Sequence, residues 1–116
     1  KIVGAHLLKR SRAPLYRLAC SRNLWSRRLA IIATLALIRQ EDFKDAFAIA
    51  DLLTADRQDL IHKAVGWMLR EIGKRSIVEL EKFLKPRYAA MPRTMLRYAI
   101  EKFPERVRRK YLKGSV

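Results

Sequence analysis

Apolar residues recur at helical spacing along most of the chain, and no segment shows the two-residue alternation of a β-strand. Residues that begin helices precede most of these segments: Ser21 or Asn23, Ser76, Pro92 and Pro104, and also Asp56, which with Asp59 resembles a capping box before the segment that starts at 57. The connections between them are short, which favours antiparallel pairs. The pattern therefore predicts an all-α protein. The predicted helices cover residues 1–9, about 12–20, 24–38, 43–53, 57–74, 77–84, 93–102 and 105–113.

A faint repeat links three of these helices. Arg28, Lys63 and Arg97 each precede small and apolar residues, and they are separated by 35 and then 34 residues. A period of this length in helix pairs is typical of an α-solenoid, whose second helices line one concave wall. We therefore expect stacked helix pairs with a basic stripe along that wall.

The segment HKAVGWMLREIGKR, residues 62–75, has an unusual polar side. On a helical wheel Trp67 lies beside Lys63, Arg70 and Lys74, opposite the aliphatic face. An aromatic ring among cations can stack on a base while the cations attract phosphates. Trp67 can equally pack against a neighbouring helix under the Lys and Arg stems. Gly66 borders the same side, where it either leaves the backbone clear or lets a second helix approach.

The predicted helix over 24–38 is apolar almost all round, as expected of a buried helix. We therefore predict that Trp25 is a core residue. Arg28 lies within the same apolar run, and burying its charge without a partner is costly. Arg28 must meet either an internal carboxylate or a phosphate that enters from a groove.

Charge narrows the choice of partner. The formal net charge is +15, and no Asp or Glu occurs before Glu41. Nucleic acid is the usual partner of so basic a chain, and an anionic membrane surface is the main alternative. The C-terminal RVRRKYLK fits a solvated helix end with weak attraction to DNA, a nonspecific phosphate contact or a localisation-like patch, and we favour the first.

Other chemistries find little support. His6 and His62 lack further ligands at metal-binding spacing, and no catalytic triad or phosphate-binding glycine loop is evident. We expect neither a metal nor a cofactor. No apolar run reaches 18 residues and nothing resembles a signal peptide, so we expect no membrane-spanning segment. As the partner we expect DNA and no membrane. The single Cys20 favours a reducing, cytoplasmic setting, with association to the nucleoid when DNA is bound.

Three segments together resemble a known family: NLWSRRLAII, LIHKAVGWMLREIGKR and MPRTMLRYAIEKFPE. They are similar to the DNA alkylation repair family, the HEAT-like-repeat alkylpurine DNA glycosylases, over about residues 1–112. The resemblance implies a right-handed α-solenoid that holds duplex DNA on a concave basic face and removes N3- and N7-alkylated purines without a metal. It implies that Trp67 lines the lesion cleft and that Arg28 contacts DNA there. From the wheel we add Lys63, Arg70 and Lys74 as DNA-binding residues, and we expect a monomer.

The sequence departs from the family at the catalytic residue. The family's catalytic Asp belongs to a helix upstream of the segment that matches Lys1, and no residue here corresponds to it. Glu71 follows Trp67 by one turn, but Lys74 and Arg75 are its expected partners. We therefore interpret residues 1–116 as the C-terminal part of one HEAT-like repeat domain that lacks N-terminal repeats and cannot excise a base.

Two other functions remain open at this stage: a noncatalytic DNA-binding repeat protein and a helical protein-interaction scaffold. A scaffold predicts that Trp67 is buried and that the basic residues spread over both faces. A glycosylase predicts that Arg28, Lys63, Trp67 and Arg70 share one surface.

Overall fold

The computed structural model describes residues 12–116, and this part of the chain is helical without a β-strand. The predicted helix over 1–9 and His6 lie outside the described residues. The all-α prediction is confirmed for the part described. Its helices are α1 (Ala13–Ala19), α2 (Leu24–Ala33), α3 (Leu35–Arg39), α4 (Lys44–Leu53), α5 (Asp59–Arg75), α6 (Ile77–Leu84), a 3₁₀ turn (Tyr88–Ala90), α7 (Arg93–Ala99) and α8 (Glu105–Lys113).

Helix α5 is the centre of the packing. It contacts α2, α3, α4, α6 and α7, and its apolar face is buried, including Ile61, Val65, Met68 and Ile72. Burial of each of these large apolar side chains stabilises the fold by roughly 1.5–3 kcal/mol.

Three helices that are not consecutive in the chain lie side by side. Helices α2, α5 and α7 contact one another in chain order, and α1 contacts both α2 and α4. Helices α4 and α6 meet through the stacked rings of Phe47 and Phe83, whose centroids are 4.7 Å apart. These neighbours are those that stacked helix pairs require, and the right-handed solenoid itself stays a prediction.

Several helix ends follow the expected chemistry. Asn23 accepts a hydrogen bond from the Ser26 amide at 3.0 Å, and Ser76 accepts one from the Glu79 amide at 3.2 Å. Each bond satisfies an amide that the first turn leaves without an intrahelical partner. Gly114 ends α8 in the left-handed conformation, with φ of 78°.

The predicted helix over 24–38 is divided at Thr34. This residue is fully buried, and its hydroxyl donates to the Ile31 carbonyl at 2.6 Å. A Thr hydroxyl that binds a carbonyl of the preceding turn competes with the regular backbone ladder and bends the helix. The apolar pattern continues across the break, which is why the sequence predicted a single helix.

The predicted capping box at Asp56 is wrong. Helix α5 begins at Asp59, and Gln58 caps it without a side-chain hydrogen bond. The Asp56 carboxylate instead accepts from the Gln58 amide at 2.9 Å and from Arg27 Nε at 2.6 Å. The Asp56 carboxylate therefore forms an ion pair with Arg27 on α2 and does not cap α5.

The prediction that Trp25 is a core residue is also wrong. Its side chain is 62% exposed, and Leu29, one turn later on the same side of α2, is 40% exposed. No element within residues 12–116 covers this side of α2. The core contact of α2 is made by Ala30, Ile31 and Ala33.

A buried carboxylate joins α4 to α1. Asp45 is 5% exposed and accepts hydrogen bonds from Arg12 Nη1 at 2.8 Å and from the Tyr16 hydroxyl at 2.6 Å. Burial, and secondly the hydrogen bond to the Asp45 carboxylate, raises the pKa of Tyr16 to about 12. The cluster therefore holds a buried charge with two donors.

We expect Asp45→Ala to lower the free energy of unfolding by about 1–3 kcal/mol, because the Tyr16 hydroxyl loses its acceptor and Arg12 loses its contact with the Asp45 carboxylate. The pKa of Tyr16 should fall toward its ordinary value at the same time. Denaturant titration measures the first effect and ultraviolet titration of the phenol the second. An unchanged Tyr16 pKa would show that Asp45 does not hold the hydroxyl in solution.

Candidate nucleic-acid interface

An open depression of about 250 Å³ lies where α2, α5 and α7 meet, and we call it the cleft. The cleft brings together Arg28, Lys63, Trp67 and Arg70, as the helical wheel and the proposed groove require. Lys74 is not among its lining residues. The full lining is Arg28, Leu60, Lys63, Ala64, Trp67, Arg70 and Tyr98.

The position of Trp67 agrees in part with both interpretations of the sequence, as a packed residue and as a residue of the groove. The indole is half-buried and packs against the core, yet part of it lines the cleft beside the three cations. An anchored aromatic ring loses little conformational entropy when a flat ligand stacks on it. The position therefore suits a stacking surface.

Gly66 lets α7 approach α5. A Cβ atom at this position would lie 2.4 Å from Tyr98 Cβ and 2.7 Å from the Met95 carbonyl oxygen. The interpretation of Gly66 as a clear patch of backbone in the groove is therefore wrong, and the helix-approach interpretation is confirmed. The close contact also fixes where Tyr98 stands relative to Trp67.

The cations of the cleft differ in their partners. Lys63 pairs with Asp59 on its own helix at 3.2 Å, with both side chains well exposed. Arg70 pairs with Glu101, which follows α7, and its buried Nε has no hydrogen-bond partner within residues 12–116. Arg28 is half-buried, and its side chain has no ion pair or hydrogen bond to any other described residue.

Arg28 thus meets no internal carboxylate in the described chain. Its neighbour Arg27 takes the available one, Asp56, and also donates to the Ser21 and Arg22 carbonyls at 3.1 and 2.9 Å. The two adjacent arginines therefore have different contacts. Arg27 joins α2 to the loop before α5, and Arg28 faces the cleft. Because Arg28 is only half-buried, water can solvate its guanidinium, and a phosphate as its partner stays a prediction.

Lys74 lies outside the cleft and pairs with Glu71 at 3.1 Å, as the sequence predicted for Glu71. Both are on α5, three residues apart, where an exposed pair contributes a few tenths of a kcal/mol. A role for Lys74 in binding DNA stays a prediction.

The sequence reasoning missed Tyr98. It lines the cleft, whereas its neighbour Arg97, the third member of the repeat, is exposed and does not. The repeat indicates the basic residue Arg97, but the packing of α7 on α5 places the next residue, Tyr98, in the cleft. An aromatic residue adjacent to a repeat position was the available signal.

Neither a membrane span nor a metal centre is found in the part of the chain that the structure describes. None of its helices has the length and hydrophobicity needed to cross a bilayer. No group of three or more His, Cys, Asp or Glu side chains among residues 12–116 is arranged to hold a metal ion.

Comparison with known proteins agrees with the resemblance in the sequence. The model of a family described as DNA alkylation repair enzyme matches residues 1–103. Comparison with curated proteins and with solved structures gives no match. Because the family match covers most of the chain, the protein belongs to the DNA alkylation repair enzyme family.

Proposed function

We propose that the chain is the C-terminal part of a HEAT-like-repeat DNA glycosylase that removes cationic alkylated purines, such as N3- and N7-alkylpurines, from duplex DNA. The observation that carries this proposal is the cleft, where Trp67 and three cations from two helices face one opening. In this proposal the contacting helices α2, α5 and α7 form the concave wall of a right-handed solenoid.

Electrostatics support DNA as the ligand. A net charge of +15 attracts a polyanion over long range, and each phosphate contact releases bound counterions. Arg28 is the strongest candidate for such a contact, since no described carboxylate competes for it. At Arg70 a phosphate competes with one carboxylate, Glu101, rather than with a network.

The cleft also suits a cationic base. Alkylation at N3 or N7 leaves a positive charge on the purine, which weakens the bond between its nitrogen and the sugar C1′. An aromatic face attracts such a cation more than a neutral base, by roughly 0.5–2 kcal/mol per contact. In this proposal Trp67 supplies that face, and the lesion is recognised by its charge without a tight pocket.

The reaction is hydrolysis of the N-glycosidic bond. The C1′–N bond breaks and its electron pair neutralises the departing purine. The sugar develops oxocarbenium character until a water oxygen bonds to C1′ and releases a proton. A carboxylate stabilises this positive charge and positions the water.

The described carboxylates around the cleft are already engaged. Asp59 pairs with Lys63, Glu101 with Arg70, and Glu71 with Lys74. We infer that the catalytic carboxylate comes from upstream sequence, while residues 12–116 supply the DNA-binding wall. In this proposal the enzyme acts as a cytoplasmic monomer on nucleoid DNA without a cofactor.

A noncatalytic DNA-binding protein is the second candidate, and the engagement of those three carboxylates favours it. It shares the cleft and the phosphate contacts but predicts no base release. A protein-interaction scaffold fits less well, because Trp67 is only half-buried and Arg28, Lys63 and Arg70 converge.

Release of N7-methylguanine from methylated duplex DNA tests the proposal. We expect the natural protein, with its upstream residues, to release the base, and the 116-residue chain to bind the duplex without releasing it. Retained DNA binding shows that the chain is folded and competent.

Each contrary result has a distinct meaning. Failure of the longer protein to release any alkylated purine would leave the noncatalytic interpretation. Release by the 116-residue chain at the rate of the longer protein would place the catalytic carboxylate within these residues.

A further inference from the structure

Helix α8 carries a second concentration of positive charge that the cleft does not use. Arg106, Arg109, Lys110 and Lys113 recur at i, i+3, i+4 and i+7, so they share one exposed face, which we call the α8 patch. They line an open depression of about 600 Å³ together with Glu105 and Ser115. This lining has no residue in common with the cleft.

The opposite side of α8 is firmly seated. Tyr111 is 1% exposed and its hydroxyl donates to Glu81 Oε1 at 2.6 Å, while its ring lies edge-on to Tyr88 with centroids 5.2 Å apart. Packing therefore determines which face α8 turns to solvent. The four cations are held on a rigid element rather than on a mobile tail.

The end of α8 closes one side of the depression. The left-handed turn at Gly114 reverses the chain, so that the Ser115 amide donates to the Lys110 carbonyl at 2.8 Å. The Val116 amide then donates to the Tyr88 hydroxyl at 3.0 Å. These bonds fix a concave surface with a hydroxyl and four cations around it.

Charge within the α8 patch is not balanced internally. Among the residues that line the depression the one carboxylate side chain, Glu105, pairs with Arg109 at 2.6 Å, and Arg106, Lys110 and Lys113 have no ion pair with any described residue. Like charges at i, i+3 and i+4 repel one another. The helix dipole favours Lys110 and Lys113 near the C-terminus but disfavours Arg106 in the first turn.

We propose that the α8 patch is a second contact for the phosphate backbone of nucleic acid, separate from the cleft. This site goes beyond the proposed glycosylase function, because it acts on any duplex, damaged or not. From Arg106 to Lys113 the helix rises about 10 Å, and over that length of duplex axis one strand presents about three phosphates. The patch adds affinity without reading sequence or damage.

The test is the salt dependence of binding to undamaged duplex DNA. The chain carrying Arg106→Gln, Arg109→Gln, Lys110→Gln and Lys113→Gln is compared with the unaltered chain. We expect the slope of log affinity against log salt to become shallower by about two to three, at about 0.9 for each phosphate contact. Gln is a good helix former, and circular dichroism verifies that the fold is kept.

A matched control distinguishes a local binding site from an effect of total net charge. Arg17, Arg22, Arg39 and Lys44 are exposed on α1 to α4, and their replacement by Gln also removes four charges. We expect this control to change the slope by less than one. Equal changes in both variants would overturn the proposal, because they would show that only the total charge matters.

Two further outcomes are decisive. An unchanged slope in the α8 variant, with loss of binding to phosphatidylserine vesicles, would overturn the proposal in favour of a membrane contact. A shallower slope in a protein that excises no base would support the α8 patch while the glycosylase proposal fails.

Discussion

We expect Trp67→Ala in the catalytically complete protein to lower the release of N7-methylguanine by about 2- to 30-fold, the range that one cation–π contact of roughly 0.5–2 kcal/mol gives. Affinity for undamaged duplex falls by less than about 2-fold, because the indole carries no charge and Arg28, Lys63 and Arg70 remain. Single-turnover release and equilibrium binding measure the two effects.

Two controls sharpen this experiment. Trp67→Phe keeps an aromatic face and should retain most of the release. A neutral deaza analogue of the lesion should bind the Ala variant and the unaltered protein almost equally. Equal loss of release and of nonspecific affinity would count against a role for Trp67 in facing the lesion. Because the indole packs partly on the core, both variants are assayed well below their unfolding temperatures.

Gly66→Ala destabilises the protein by about 1–3 kcal/mol, the usual cost of overpacking a close contact. The added methyl group would lie 2.7 Å from the Met95 carbonyl oxygen, a backbone atom, so α7 as a whole must shift. The better helix propensity of Ala recovers at most about 1 kcal/mol. Denaturant unfolding measures the loss.

Helix α5 offers a matched control for this variant. At Gly73 the nearest atom to an added Cβ would be Leu80 Cδ2 at 2.7 Å, the far end of a side chain, and the next Leu80 atoms would lie at 3.9 Å. We therefore expect Gly73→Ala to be neutral or stabilising by up to about 1 kcal/mol. If the two variants were equally stable, the contact between α5 and α7 in solution would be looser than the structure has it.

The helices and the core face of α5 were predictable because each depends on local pattern. Periodicity gave Ile61, Val65, Met68 and Ile72. Capping chemistry gave the start at Ser76 and two candidates for the start of α2, of which the structure has Asn23. The family was also identifiable from three segments of sequence.

What the sequence could not show depends on contacts between distant residues. Asp56 has the sequence pattern of a helix cap, but Arg27, 29 residues earlier, takes its carboxylate. Trp25 has the pattern of a core residue, but no described element covers its side of α2. Tyr98 enters the cleft only because Gly66 sets the register of α7, and one helical wheel cannot reveal the position of a second helix.

The contact at Gly66 has a consequence for the kinetics of recognition. Since the backbone of α7 rests directly on α5, the edge that holds Trp67 and Tyr98 is assembled before any ligand arrives. Little ordering entropy is then spent on association, and pre-organised surfaces bind with encounter rates set mainly by long-range attraction. The difference in affinity between damaged and intact duplex should therefore lie mainly in the rate at which each complex dissociates.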